Sequence, residues 1–251
     1  MKHVLVANSP DEKTRAFNLG KMLLAQLDNF QRLCLSDDMI IVSSRPLQLE
    51  EGLAKVFVCD LNKICLTGSK VFGLQWIFQN TDIDDIFWLH DLDAWQNHPF
   101  YPPEFESAAF SPYSRLSKIN GGSQFWKRDG AKLLDSICSE ILKKSSNKEE
   151  PVIQNLCYGR DDVTILNSTF NVGCSGYVER FQSAIKPILV SHLHPTNRIA
   201  WQTHRLDRDG RGYVSVSKGL ELVLRRHYDL ADELDEEGRK AQKRKIEAQK
   251  T

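Results

Sequence analysis

The chain lacks net charge: 33 lysines and arginines offset 33 aspartates and glutamates over 251 residues. Bulk electrostatics therefore argues neither for nor against a polyanionic partner, and any such partner must use a local patch. Long apolar runs are missing too. The opening Met-Lys-His-Val-Leu-Val-Ala is shorter than a signal-peptide core and is broken by Asn8-Ser9-Pro10, and no later segment has the length of a membrane span. The expectation is a cytoplasmic protein without a membrane anchor. Six cysteines (Cys34, Cys59, Cys65, Cys138, Cys157, Cys174) lie scattered with no Cys-x-x-Cys pair and no zinc-like spacing, which reads as free, mostly buried thiols. No dinucleotide glycine fingerprint follows the first strand, which counts against a Rossmann dehydrogenase. Internal repeats are absent as well.

What is present is an alternation of apolar strands and helical stripes. His3 to Ala7 reads as a strand, Asp11 to Phe30 as a helix, Met39 to Ser43 and Lys55 to Cys59 as strands, and the stretch after Gly68-Ser69-Lys70 as a helix leading into a strand from Ile83 to Leu89. This order predicts an α/β fold with a mixed, mostly parallel sheet flanked by helices. Beyond Trp95 the chain reads as loop, then as a strand from Ala108 to Pro112, a helix from Asp129 to about Lys144, a second helix beginning at Glu149-Glu150-Pro151, a strand from Val163 to Leu166 and a last strand from Ile188 to Ser191. The end of the chain, residues 229–251, reads as a charged helix or tail, after a domain over 1–228 with halves 1–95 and 96–228.

The chemistry concentrates where the strand Ile86-Phe87-Trp88-Leu89-His90 runs into Asp91-Leu92-Asp93. Two carboxylates at the carboxyl end of a buried strand face the crevice where open α/β sheets bind ligands, and hard oxygen donors there suit Mg²⁺ or Mn²⁺ and hence a diphosphate. The bland alternative has Asp91 capping the turn and Asp93 solvated. Ala7, Asn8 and Ser9, after the first strand, are candidates for nucleotide contacts, and Lys70 is a further candidate for binding the donor. Gly121 and Gly122 permit close backbone approach to a ligand, with Ser123 and Gln124 supplying a hydroxyl and an amide; the alternative is a tight turn before an edge strand. Glu149 and Glu150 are either reactive carboxylates or helix starters that complement the dipole. His192 and His194 end the last strand.

In this order the motifs resemble those of GT-A-type glycosyltransferases, in particular the glycogenin-like and lipopolysaccharide hexosyltransferase group, over about residues 3–201. The resemblance rests on four short motifs: the helix and strand from Gly68 to Asp93, Asn120-Gly121-Gly122-Ser123, Glu149-Glu150-Pro151-Val152-Ile153-Gln154, and His192-Leu193-His194-Pro195 with Trp201. It implies a single GT-A-like domain in which Asp91, Asp93 and His192 (or His194) hold a divalent metal on the phosphates of a nucleotide sugar, a UDP-sugar by preference. Gly122, Ser123 and Gln124 would then face the sugar, and Glu150 or Glu149 the acceptor. The lysine usual before the late tryptophan is missing, since Ile199-Ala200 stand there; Lys186, Arg198 or Arg205 are its candidate replacements.

The acceptor is read as a glycan or, by resemblance to phage base-modifying glucosyltransferases, a hydroxymethylated base in DNA. The segment from Arg198 to Tyr228, basic and interleaved with aromatics, suits a phosphate backbone. Two other classes compete. In metal-dependent phosphoryl transfer, the phosphatase version carries its Asp-x-Asp after the first strand, whereas here it follows about the fourth, and the nucleotidyltransferase version expects a third carboxylate, for which Asp162 is the candidate. A non-enzymatic binding module would use Asp91 and Asp93 only structurally.

Overall fold

The computed structural model describes residues 1–8, 23, 26, 27, 29–31, 33, 38–47, 49, 51–61, 68–112, 119–146, 148–173 and 185–192. Ser9, His194, Arg198, Trp201, Arg205, the Arg198 to Tyr228 segment and the charged tail all lie outside them, as does most of the expected first helix. Seven strands form the main sheet: β1 (Lys2–Ala7), β2 (Asp38–Ser43), β3 (Lys55–Val58), β4 (Phe87–His90), β6 (Ala108–Pro112), β7 (Ile119–Trp126) and β8 (Val163–Ile165), in the spatial order β3-β2-β1-β4-β7-β6-β8. Only β7 runs against the others, so the sheet is mixed and mostly parallel, as the alternation of elements predicts.

Helices cover both faces. In β2, Ile40 and Val42 point to one side and Met39 and Ile41 to the other, and all four are buried. This is why the strand reads as a continuous apolar run rather than an alternating one. The first side packs on α1 (Ser69–Asn80), α2 (Ala131–Lys143) and α3 (Glu150–Cys157) through Val71, Leu74, Ile77, Leu134, Ile137 and Ile153. The second packs on the helical residues Leu23 and Leu27. Arg128 closes the far end of α1, its guanidinium donating to the carbonyls of Phe78, Thr81 and Ile83. No described helix is long and apolar enough to cross a membrane. Cys59, Cys138 and Cys157 are free thiols, the last two buried.

Three elements depart from the sequence expectation, and each bears on the cleft. The strand before the carboxylate pair starts at Phe87, not Ile83, because residues 81–86 belong to no strand and bend at Asp85. The Gly121-Gly122 stretch is no edge strand: β7 lies in the centre of the sheet, between β4 and β6, with all eight residues buried. Its polar side chains are tolerated there because each is hydrogen-bonded inside the protein. Lastly, the sequence reads loop beyond Trp95 and no strand at residues 94–96. They form β5 (Ala94–Gln96), which joins β9 (Val172–Gly173) and β10 (Val190–His192) in a second, three-stranded sheet ordered β5-β10-β9. Strands of two or three residues carry too little periodicity to show such a sheet in advance.

Candidate active site

Beyond His90 the chain turns through Asp91-Leu92-Asp93 from the main sheet into the small one, the turn closed by the Ala94 N–H donating to the Asp91 carbonyl at 3.0 Å. Two buried amides brace it from the helical segment below. Gln26 Nε2 donates to the carbonyls of Leu92 and Ala94 at 2.8 and 3.0 Å, and Asn29 Nδ2 to that of Gln96 at 3.0 Å. The carboxylates therefore stand on a fixed backbone.

The small sheet delivers the third member. β10 runs antiparallel to β5 with His192 opposite Ala94, which lays the imidazole beside Asp93. His192 Nε2 lies 3.1 Å from Asp93 Oδ1 and 3.3 Å from Asp91 Oδ2. One donor atom from each of Asp91, Asp93 and His192 falls within 4.8 Å of the others. Among the described residues, His192 is thus the histidine that the structure brings to the carboxylate pair.

Behind this triad sits a buried cation. Lys70 Nζ, at the start of α1, lies 2.5 Å from Asp91 Oδ1 and 2.8 Å from Glu149 Oε1. Burial works to lower the Lys70 pKa, but the two carboxylates outweigh it and raise it. Asp91 shows the mirror image: burial pushes its carboxyl up, while Lys70 and then His192 hold it well below the usual range. Burial raises Glu149. For His192, burial would favour the neutral ring, yet Asp93 and Asp91 raise its pKa to about 9. Without a metal the imidazole is therefore a cation shared by two carboxylates. Neighbouring His90 is the contrast: burial lowers it to about 3, and its ring stacks on Trp88 with centroids 4.0 Å apart.

The two glycines of β7 are explained by what lies over them. A Cβ on Gly122 would sit 2.1 Å from Cε1 and Nδ1 of His192, and one on Gly121 would sit 2.4 Å from Glu149 Oε1. Bare backbone is needed so that these side chains can lie flat against the strand. The pairing of β7 with β6 slips between Phe110 and Ser111, which frees this part of β7 from β6 while it stays paired with β4, His90 opposite Ser123.

Several sequence expectations change at this point. The close approach at Gly122 is to His192, so the residue supports a protein side chain. Ser123 and Gln124 are wholly buried: the Ser123 hydroxyl accepts from Trp88 Nε1 at 2.8 Å, Gln124 Nε2 donates to the Gly121 carbonyl at 2.8 Å, and Gln124 Oε1 accepts from Trp126 Nε1 at 3.1 Å. Glu149 is more than a helix starter, since its carboxylate is buried against Lys70. Glu150 accepts from Asn120 Nδ2 and from the Gly121 N–H. Ala7 and Asn8 lie on the same carboxyl edge as Asp91, because β1 and β4 are parallel with Val4 opposite Leu89; Asn8 is buried, and its Nδ2 donates to the Leu61 carbonyl at 3.0 Å. Asp162 precedes β8, whose Val163 aligns through Ala108 and Trp126 with Phe87 at the start of β4. It therefore stands at the opposite edge of the sheet, paired with Arg160, and supplies no third carboxylate.

The sequence reading missed Gln26, Asn29 and Asn171. All are amides within otherwise ordinary polar or amphipathic stretches, and no local pattern distinguishes a bracing amide from a solvated one. The sequence marks Lys70 for the donor, but its two carboxylate partners lie 21 and 79 positions away, beyond the reach of any local pattern.

No family model matches the sequence, and no curated protein matches it. The three-dimensional structure does find neighbours. It superposes on the galactosyltransferase LgtC in complex with donor and acceptor sugar analogues with a TM-score of 0.59, covering 92% of this chain and 96% of that one at 12% identity. An active-site mutant of LgtC gives 0.60 over the same shares. The glycosyltransferase GlyE of Streptococcus pneumoniae TIGR4 gives 0.54 at 12% identity over 96% of this chain, which spans 64% of that longer protein. At such identities the likeness is one of architecture, and the chain has the GT-A-type fold of these glycosyltransferases.

Proposed function

We propose that the protein is a metal-dependent glycosyltransferase that moves a sugar from a nucleotide-sugar donor, a UDP-sugar, to an acceptor hydroxyl. The observation that carries this reading is the convergence of Asp91, Asp93 and His192 at the carboxyl edge of a sheet with this fold. The donor set fits a divalent cation: two carboxylates and one imidazole suit Mn²⁺, with Mg²⁺ as the harder alternative. When bound there, such an ion supplies Lewis-acid neutralisation of the leaving diphosphate.

The protein's own groups prepare for that charge. Lys70 keeps Asp91 ionised and ties it to Glu149, so the cleft presents a rigid negative pair to the cation rather than two mobile carboxylates. Ala7, Asn8 and Ser9 are proposed to meet the nucleotide, on the edge they share with Asp91. Glu149 has its carboxylate committed to Lys70, which leaves Glu150 as the better candidate for the acceptor side. Held at one oxygen by Asn120 and Gly121, it takes the acceptor proton in an inverting reaction or orients substrate in a retaining one. A glycan is the acceptor we favour, in keeping with the acceptor sugar analogue bound to LgtC.

The test is thermal unfolding against a panel of nucleotide sugars and nucleoside diphosphates, with and without Mn²⁺, on the wild type and on Asp93→Ala. A ligand at about 100 times its dissociation constant stabilises by about 2.7 kcal/mol, enough to move the midpoint by several degrees. A shift that requires Mn²⁺, favours one nucleotide and disappears in Asp93→Ala supports the reading. The absence of any shift in the folded wild type overturns it.

A further inference from the structure

The metal corner is oriented by residues that never reach it. His192 Nδ1 lies 3.1 Å from Oδ1 of Asn171, a side chain with no exposed surface. Asn171 Nδ2 donates to the Ser111 carbonyl at 3.3 Å and to Asn120 Oδ1 at 2.9 Å. Asn120 Oδ1 also accepts from the Gly122 N–H at 2.8 Å, and Asn120 Nδ2 donates to Glu150.

The direction of this chain of bonds is fixed by groups that cannot reverse. A backbone N–H only donates, so the atom of Asn120 facing Gly122 is its oxygen. A backbone carbonyl only accepts, so the atom of Asn171 facing Ser111 is its nitrogen, and its oxygen is left facing His192. An amide oxygen has no proton to give, so Nδ1 of His192 must carry one and donate. The carboxylates of Asp91 and Asp93 also only accept, so in the metal-free protein Nε2 carries a proton as well. Nδ1–H is the tautomer left once a cation takes the place of the Nε2 proton.

We propose that Asn171 is a positioning residue that, locked by Ser111 and Asn120, fixes the tautomer and tilt of His192 so that Nε2 is the nitrogen presented between Asp91 and Asp93. Its use in holding a divalent cation rests on the function proposed above; the bond from Nδ1 to Asn171 does not. Because Asn120 joins Asn171 to Glu150, the same chain also ties the metal corner to the first turn of α3.

The experiment is ¹⁵N NMR of the histidine rings in the full-length protein at neutral pH, metal-free and loaded with Zn²⁺ as a diamagnetic stand-in for Mn²⁺, together with titration of Mn²⁺ followed by electron paramagnetic resonance. The metal-free wild type is expected to show both His192 nitrogens protonated and the loaded wild type the Nδ1–H tautomer, whereas loaded Asn171→Ala gives a mixture or the reverse. Mn²⁺ affinity is expected to fall about 10- to 100-fold in Asn171→Ala, and to fall no further when Asn171→Ala is added to His192→Ala. A general loss of structure would weaken binding in both backgrounds alike, so the cycle separates positioning from damage. An Nε2–H tautomer in the loaded wild type overturns the proposal without any variant, as does an undiminished Mn²⁺ affinity in Asn171→Ala. A wild type whose metal-free ring holds its Nδ1 proton to Asn171 yet binds neither ion leaves Asn171 in its role and sinks the metal reading instead.

Discussion

His192 Nε2 and Asp93 Oδ1 stand 3.1 Å apart although 99 positions separate the two residues in the chain. The pair makes the metal-free protein sensitive to pH, and the sign follows from His192. Its pKa is raised in the folded state to about 9 from 6.5. Its contribution to stability is therefore fully present below about pH 6.5 and is lost as pH rises through 9. Urea unfolding midpoints of the metal-free protein should fall across that window, and His192→Gln should flatten the fall. Mn²⁺ affinity should move the opposite way, rising with pH, because the ring must lose its proton before it can ligate.

Lys70 is held between two carboxylates, and removing it leaves Glu149 buried without its cation. Lys70→Met should destabilise the fold by about 3 to 5 kcal/mol, the usual cost of breaking a buried pair on one side. Urea denaturation at pH 7 measures it. A loss below about 1 kcal/mol would mean that Glu149 simply takes up a proton.

Gly122→Ala places a Cβ where the His192 ring now lies. Either the ring or the strand must give way, at a cost of about 1 to 3 kcal/mol. Since the ring is the nearer and lighter part to displace, Mn²⁺ affinity should fall by about 10-fold or more, while the far-ultraviolet circular dichroism stays that of the wild type. Unchanged affinity would show that the ring does not need its flat seat.

Ser123→Ala separates a structural hydroxyl from a sugar-binding one. Trp88 Nε1 would lose its acceptor inside the core, which costs about 1 to 3 kcal/mol. Nucleotide-sugar binding per site, measured by calorimetry on the folded fraction, should stay the same. A selective loss of donor affinity would restore Ser123 to the sugar pocket.

Gln26→Ala removes both hydrogen bonds that brace the Asp91 to Ala94 turn from below. Mn²⁺ affinity should fall by more than global stability does, because the bonds hold a turn and not the sheet. Parallel urea and Mn²⁺ titrations of this variant decide it.

Much of this was present in the order of residues alone. The apolar strand ending in Asp-Leu-Asp, the alternation that makes a mostly parallel sheet, and the helix starts after Gly68 and at Glu149 are local patterns, and local patterns survive in a linear reading. The polar strand Ile119-Asn120-Gly121-Gly122-Ser123-Gln124-Phe125-Trp126 misled that reading. Its composition is that of a turn or an edge, and only bonds to Trp88, Trp126 and Glu150 make it habitable in mid-sheet. What the sequence settled by itself was thus the fold class and the position of the carboxylate pair, both consequences of hydrophobic periodicity and chain direction. What the tertiary structure alone decided was which groups meet that pair. The pairing of β5 with β10 brings His192 across 99 positions, α1 brings Lys70, and the bare backbone of Gly121 and Gly122 makes room for Glu149 and His192. Such contacts come from register between distant short strands and from space left by a missing side chain, and neither leaves a periodic trace along the chain.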